Sequence, residues 1–239
     1  MAALGFCAHA GAADFSFGAD YWGYDVRGQV DRNGDVLDFQ SDLDVKARTH
    51  TQYLAAWNTG PGWWKPDLAF SYTPIKASGQ HDVPGGTRFG GLLFPPTNNT
   101  VLGDADLADL SVSLRYPLTL GATHVWGGLT LKRLNGHVTV RDQNDTQEDQ
   151  QDFNELFPML HAAVAAPLAS WLTLAGQADF IKYGSNSAWD LRAGVSVGVY
   201  GPVGLNLGWQ GKHYHVESGS YRLNATLSGA TAGLYFNFR

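Results

Sequence analysis

The last eight residues of the chain, 232-AGLYFNFR-239, decide its fold. Leu234, Phe236 and Phe238 occupy every second position, and glycine, tyrosine and asparagine lie between them. Successive side chains of a β-strand point to opposite faces, so this segment is predicted to be a strand with one apolar face and one mixed face. The apolar face fits either the core of a soluble antiparallel sheet or the lipid-facing wall of a membrane barrel.

The composition of the chain favours the membrane barrel. Charged residues make up 16% of the sequence, whereas a typical soluble domain carries about 25%. No stretch approaches the ~20 consecutive apolar residues that a membrane-spanning helix needs. The net charge is -6 and no basic patch is present, so no nucleic-acid partner is expected.

About ten segments repeat the alternation, and each is roughly 10 to 13 residues long. The clearest is 189-WDLRAGVSVGVY-200, in which leucine, alanine and three valines alternate with polar residues and glycine. Strands of ordinary globular proteins average about 5 to 6 residues, whereas a tilted membrane strand needs about 9 to 11. The length of the segments therefore favours membrane strands over a soluble sandwich or a lipocalin-like barrel.

The connections between these segments alternate between long and short. Long, polar connections are predicted at residues 27–46, 78–105 and 135–155. Short connections are predicted at residues 58–66, 117–123, 166–171 and 201–203. Outer-membrane barrels carry long loops at the extracellular rim and short turns at the periplasmic rim. The sequence therefore predicts an all-β fold: an antiparallel up-and-down transmembrane β-barrel of about ten strands, within a range of eight to twelve.

The two ends of the predicted barrel also have expected features. Leu234, Phe236 and Phe238 are predicted to face lipid, and the last strand to pair with the first, because an open sheet edge would leave backbone groups unsatisfied in the bilayer. Aromatic residues near predicted strand ends are typical of interfacial girdles. They are Trp63, Trp64, Trp126, Trp171, Trp189 and Tyr200.

The start of the chain differs from the remainder. Residues 1–13 are apolar and rich in alanine, and they are predicted to be the remnant of a secretory signal peptide. Residues 14–239 are then predicted to form one outer-membrane barrel domain, which is exported through the periplasm.

Five short motifs carry a resemblance to a known group. They are FGADYW at 17–22, PMLH at 158–161, YGSNSAWDL at 183–191, GLNLGW at 204–209 and GLYFNF at 233–238. With them the chain resembles a family of uncharacterised, small, porin-like bacterial outer-membrane β-barrel proteins. The resemblance implies the fold and the location, with outer-membrane lipid, lipopolysaccharide and the barrel-assembly machinery as partners, but no activity. The chain departs from the family where Arg239 follows the terminal aromatic residue.

The polar face of the predicted strands supplies a set of charges for the barrel interior. The acids are Asp20, Asp109, Asp179 and Asp190, and the bases are Arg115, Lys132, Arg192 and Lys212. The neutral or titratable members are Gln52, His161, Gln177, Asn206 and Gln210. Ion-selective pores carry an excess of one sign, whereas this set is balanced. Buried charges must be paired, so the sequence predicts a salt-bridged plug or a very narrow path.

The leading functional hypothesis is a structural or narrow-permeation protein for small solutes, without catalysis. The first alternative is a surface binding or adhesion protein that acts through acidic extracellular loops such as residues 135–155. The sequence does not determine an oligomeric state, and no cofactor is expected.

The second alternative is a rim hydrolase of protease or lipase type. Its candidate catalytic residues are Asp104, Asp106, His213 and His215, because side chains at i and i+2 share one strand face and can address one water molecule. The two histidines could also share a metal ion, but no third ligand is indicated, so no metal site is predicted.

Overall fold

The computed structural model describes residues 14–59, 65–89, 92–94, 100–143 and 147–238. These residues form thirteen strands. The strands are β1 (Asp14–Arg32), β2 (Asp35–Asp38), β3 (Arg48–Asn58), β4 (Asp67–Asp82), β5 (Thr87–Phe89), β6 (Leu92–Phe94), β7 (Thr100–Leu120), β8 (Thr123–Asp142), β9 (Glu148–Ala169), β10 (Leu172–Tyr183), β11 (Asn186–Tyr200), β12 (Val203–Ser218) and β13 (Tyr221–Phe238). In this part of the chain no helix is long and apolar enough to cross a membrane. The predicted leader, residues 1–13, and the girdle residues Trp63 and Trp64 lie outside the described residues.

Ten of the strands close into a barrel, which confirms the predicted fold. The order is β1-β3-β4-β7-β8-β9-β10-β11-β12-β13, every neighbouring pair is antiparallel, and β13 pairs with β1. The closing ladder extends from Phe15–Phe238 to Arg32–Tyr221. The remaining strands belong to connections: β2 adds to the outer end of β1, and β5 and β6 form a separate hairpin.

Most of the ten barrel strands continue well beyond the length that a bilayer requires. β9 has 22 residues, whereas a tilted membrane strand needs about 9 to 11. The prediction that residues 27–46, 78–105 and 135–155 are loops is therefore wrong for half of the first segment and for most of the other two. β8 extends to Asp142 and β9 resumes at Glu148, so only the short stretch between them connects the two strands.

A change in polarity along the long strands, which β8 illustrates, explains the error. In β8, the inward Lys132 and the outward Leu131 give the polar-in, apolar-out pattern of a membrane strand. Farther along the same strand the inward residue Val138 is apolar and the outward residue His137 is polar. The alternation continues but its sense reverses, because this half of the barrel meets water on its outside. Segments with a polar outer face contain many Asp, Asn and Thr residues, so in the sequence they resemble loops.

The interior consequently has two zones. One half of the barrel carries the connections with β2, β5 and β6, and we call it the long-loop half. It is filled by an apolar core, to which the walls contribute Trp22, Tyr24, Leu107, Leu134, Phe153, Phe157 and Met159. The connections add Leu37, Phe39, Leu43, Phe89 and Phe94 to the same core. The opposite half, where short turns such as that between β9 and β10 join the strands, is the short-turn half. Its interior is predominantly polar, and Trp126 packs there against Ala163, Ala165 and Ala175. Trp126 therefore faces the lumen and not the membrane interface, contrary to the sequence prediction.

The outer wall of the short-turn half forms an apolar band. Leu234 and Phe238 are about half exposed on it, and Phe236 lies between them on the same face. Phe17 of β1 stacks on Phe236 and Phe238 with ring centroids 5.2 and 5.8 Å apart. These contacts join the first and last strands on the lipid side.

We expect Leu160→Arg to destabilise the barrel in lipid by about 2–4 kcal/mol, because Leu160 is outward and 54% exposed near the middle of this band. The matched variant Leu168→Arg, at a residue that is 62% exposed near the short β9–β10 turn, should cost about 0–1 kcal/mol. Urea unfolding in phospholipid vesicles measures both values. Equal costs at the two positions would contradict the placement of the bilayer.

Candidate functional site: the barrel interior

A cluster of four charges crosses the lumen at the boundary between the two zones. The Asp109 carboxylate of β7 accepts hydrogen bonds from Lys132 Nζ at 3.0 Å, Lys212 Nζ at 2.6 Å and the Tyr214 hydroxyl at 2.5 Å. Asp190 of β11 lies 2.8 Å from Lys132 Nζ and 3.4 Å from Lys212 Nζ. We call these five residues the central network.

The strands bring the central network together from opposite walls. Asp190 and Lys212 are directly opposite each other on β11 and β12. Asp109, in contrast, belongs to β7, and four strands separate β7 from β12 around the wall. The Lys212–Asp109 contact therefore spans the lumen. Trp22 of β1 covers the network with its ring centroid 5.7 Å from Lys212 Nζ.

The network is almost completely removed from solvent. Lys132 and Lys212 are each 1% exposed, and Asp109 is 0% exposed. Burying single ions costs several kcal/mol each, so the structure compensates with two acids for two bases and with additional hydrogen bonds. Lys212 Nζ, for example, also donates to Thr73 Oγ1 at 3.2 Å.

A second polar cluster lies in the short-turn half. His161 Nδ1 is 2.7 Å from Asp179 Oδ1, which also accepts a hydrogen bond from Thr130 at 2.5 Å. Gln177 donates to the other Asp179 oxygen at 2.8 Å. Ser113 and Thr130 are themselves within 2.7 Å. The cluster fixes the His161 ring against β8 and β10.

The remaining charges of the predicted set also face inward. Arg192 lies 3.6 Å from Asp20 and donates to Gln210 at 3.0 Å. The Arg115 guanidinium is fully buried and stands 5.5 Å from the centroid of the Trp126 ring. Between the two clusters is a polar cavity of about 30 Å³, lined by Ser111, Ser113, Gln177, Asp179, Arg192 and Gln210, among others. This volume has room for one or two water molecules.

The predicted set of interior residues lacks one member of the central network, Tyr214, and its cover, Trp22. Tyr214 shares the inward parity of Lys212, and it donates a hydrogen bond to Asp109. Trp22 shares the inward parity of Asp20, and it covers Lys212. Side-chain alternation predicts that both face inward, but neither carries the charge or amide group that marks the other interior residues.

The four rim candidates do not come together. Asp104 and Asp106 lie on the outer face of β7, where they pair with Arg141 at 3.3 Å and Lys76 at 2.8 Å. The two histidines lie on the outer face of β12, on the opposite side of the barrel.

Each histidine has local partners instead. His213 stacks on Trp189 with centroids 5.7 Å apart, and its Nδ1 lies 2.9 Å from Thr226 Oγ1. His215 is 3.7 Å from Glu217. Among the described residues, no group of three histidine, cysteine, aspartate or glutamate side chains has the geometry of a metal site.

The acidic stretch 135–155 is mainly part of the β8–β9 hairpin. Asp149 points inward near its end and pairs with Arg32 of β1 at 2.6 Å. Asp152 and Glu148 remain exposed.

The closed ten-stranded barrel, its outer apolar band and its paired interior charges define an integral outer-membrane β-barrel protein of bacterial type. Comparison with solved structures agrees with this class. The outer membrane protease OmpT from Escherichia coli superposes with a TM-score of 0.62 at 7% identity, over 94% of this chain and 97% of that chain. At this identity the likeness shows the fold alone.

Two further solved structures are more distant. Ail of Yersinia pestis, in complex with a heparin analogue, has a TM-score of 0.41 at 9% identity, over 95% of this chain and 99% of that chain. The translocator domain of the autotransporter NalP from Neisseria meningitidis has a TM-score of 0.44 at 12% identity, over 96% and 90%. No family model and no curated protein matches the sequence. The closed barrel, its apolar outer band and the likeness to OmpT confirm the fold that the resemblance implies.

Proposed function

We propose that this protein is a structural, non-conducting barrel of the outer membrane without a catalytic site. The observation that carries the proposal is the Lys212–Asp109 contact, because it joins opposite walls of a lumen with side chains that are almost wholly buried. Barrels of about eight strands are only wide enough for side chains to fill, and ten strands add little room.

The alternatives have weaker support. A rim hydrolase needs its acids and histidines at one site, and here they lie on opposite outer walls. A surface-binding role is compatible with the long hairpins that extend beyond the apolar band. Its predicted acidic loop, however, is folded into β8 and β9, and part of its charge is paired with Arg32.

Conductance measurements on refolded protein in a planar bilayer test the proposal. Heat-modifiable migration on a gel first verifies that the protein is folded. We then expect no steady openings, because the central network and the apolar core above it block the passage of ions and water through the lumen. A general porin in the same membranes serves as the positive control. Steady openings with a definite ion preference would contradict a sealed lumen and favour narrow permeation.

A further inference from the structure

The barrel wall is incomplete between β3 and β4 in the long-loop half. Hydrogen-bonded pairing between these strands ends at the pair Tyr53–Tyr72. Beyond this pair β3 remains bonded to β1 as far as Arg48, and β4 remains bonded to β7 as far as Asp82. Each strand therefore keeps one neighbour while the two separate from each other. We call this feature the lateral split.

The sequence supplies a reason for the split. The backbone oxygens of Lys76 and Ser78 are directed toward β3, since they accept hydrogen bonds from Tyr24 and Arg48 on that side. Pro74 has the same parity in β4, so its missing N–H falls at the position that would continue the β3–β4 ladder. Proline cannot donate this bond, and it is tolerated only where a strand lacks a partner.

Side chains replace the missing backbone pairing. The Tyr24 hydroxyl donates to the backbone oxygen of Lys76 at 3.2 Å and lies 3.0 Å from His50 Nδ1. The Tyr24 and His50 rings stack with centroids 5.8 Å apart. Farther out, Arg48 bonds to the backbone oxygen and the hydroxyl of Ser78. A few hydrogen bonds of side chains thus close the split where a ladder would otherwise be continuous.

An apolar cavity lies inside the barrel next to the split. It has a volume of about 50 Å³, and its wall includes Val26, Ile75, Leu107, Val138 and Leu223. Apart from Asp104 and Tyr214, its lining consists of apolar residues and glycine. A charged or strongly polar molecule would lose its hydration here without compensation, so the lining selects apolar molecules.

A groove on the outside approaches the same cavity. It has a volume of about 470 Å³ and is lined by residues that include Arg48, His50 and Lys76 at the split. The groove and the cavity share the lining residues Ala77, Asp104 and Ala105. The wall between them is therefore made of backbone and small side chains.

Leu43 closes the cavity from within. Its side chain is 3% exposed, and a Cβ at Gly103 would lie only 2.9 Å from Leu43 Cδ1. Leu43 belongs to the β2–β3 connection, so its side chain can leave without breaking the barrel ladder. The next residue, Asp44, has a φ of 44°, a left-handed conformation that is unfavourable outside glycine. The cavity with the Leu43 volume added approaches the size of cavities that bind benzene.

We propose that the long-loop half of the barrel binds a small apolar molecule, of the size of a monocyclic hydrocarbon, in the place of the Leu43 side chain. The molecule gains access through the lateral split between β3 and β4, where Tyr24 and His50 act as the closure. The site lies above the central network, so it is compatible with a lumen that is sealed to ions.

Methyl NMR of the full chain in phosphatidylcholine nanodiscs, titrated with toluene, tests the binding site. We expect saturable shifts at the inward methyls of Leu107 and Val138. The outward methyls of Leu131 report toluene that merely dissolves in the lipid, and they should change linearly without saturation. Inward methyls that follow the same linear course as Leu131 would overturn the proposal.

Variants of Leu43 test the place of the ligand. Leu43→Ala should bind toluene roughly tenfold more tightly, because the ligand no longer competes with the leucine side chain. Leu37→Ala is the matched control, since Leu37 is a buried leucine of the neighbouring strand β2 and does not line the cavity. Ala105→Leu fills the cavity and should abolish the saturable shifts. Equal affinity in Leu43→Ala and Leu37→Ala would overturn the site.

Tyr24→Phe tests the route of access. It removes only the hydroxyl that joins His50 and Lys76 across the split. The exchange rate of toluene, obtained from the methyl line shapes, should rise severalfold while the affinity stays within about twofold. An unchanged exchange rate in a folded, toluene-binding variant would overturn the lateral route.

Discussion

Asp109→Ala should destabilise the barrel by about 3–5 kcal/mol, because it leaves two buried ammonium groups with one carboxylate between them. In the intact protein, Asp109 accepts hydrogen bonds from Lys132, Lys212 and Tyr214. Removal of one member of a buried charge cluster costs more than the cluster contributes when it is complete. Urea unfolding in lipid vesicles, followed by tryptophan fluorescence, measures the loss.

Asp106→Ala is the matched control for this experiment. Asp106 lies on the same strand and also pairs with a lysine, Lys76, but on the exposed outer wall. Exposed ion pairs contribute about 0–1 kcal/mol, so this variant should remain close to the parent protein. If both variants lost the same stability, the central network would not be the element that holds the interior together.

The second large effect is expected from Gly136→Ala. Gly136 in β8 has a φ of 143°, in the range that favours glycine, and a Cβ there would collide with the backbone oxygen of Asp106 in β7. A strained backbone of this kind costs about 1–3 kcal/mol, and the collision adds to it because the obstacle is backbone and cannot rotate away. Vesicle unfolding and the folded fraction on an unheated gel both report the loss.

The same strand provides a control for Gly136. A Cβ at Gly127 would have no neighbouring atom within 4 Å, so Gly127→Ala should change stability by less than about 1 kcal/mol. If Gly136→Ala left the free energy of unfolding unchanged, β7 and β8 would be able to separate at this level without loss of stability, contrary to the prediction.

Much of the barrel could be predicted from the sequence because side-chain alternation is a local property. Leu234, Phe236 and Phe238 share one face of β13 whatever the other strands do, and they lie on the outer wall as predicted. The same parity sends Asp109, Lys132, Asp190 and Lys212 inward. The strand number follows from the count of alternating segments, and the pairing of the first and last strands follows from the requirement that no edge remains open in lipid.

The partners of these residues could not be read from the sequence. Parity places Asp109 and Lys212 on the inner wall, but only the stagger of the closed barrel puts their charged atoms 2.6 Å apart. The i, i+2 spacing pairs Asp104 with Asp106 and His213 with His215, but it does not bring the two pairs together. Closure of the barrel places them on opposite outer walls.

The sequence by itself determined that the chain is a barrel of about ten membrane strands with a balanced set of inward charges. Only the tertiary structure decided where the strands leave the bilayer, that Leu43 closes an apolar cavity, and that Tyr24 and His50 bridge a split in the wall. The physical reason is the range of the forces involved. Alternation depends on neighbouring residues, whereas stagger, closure and the change from lipid to water depend on all ten strands together.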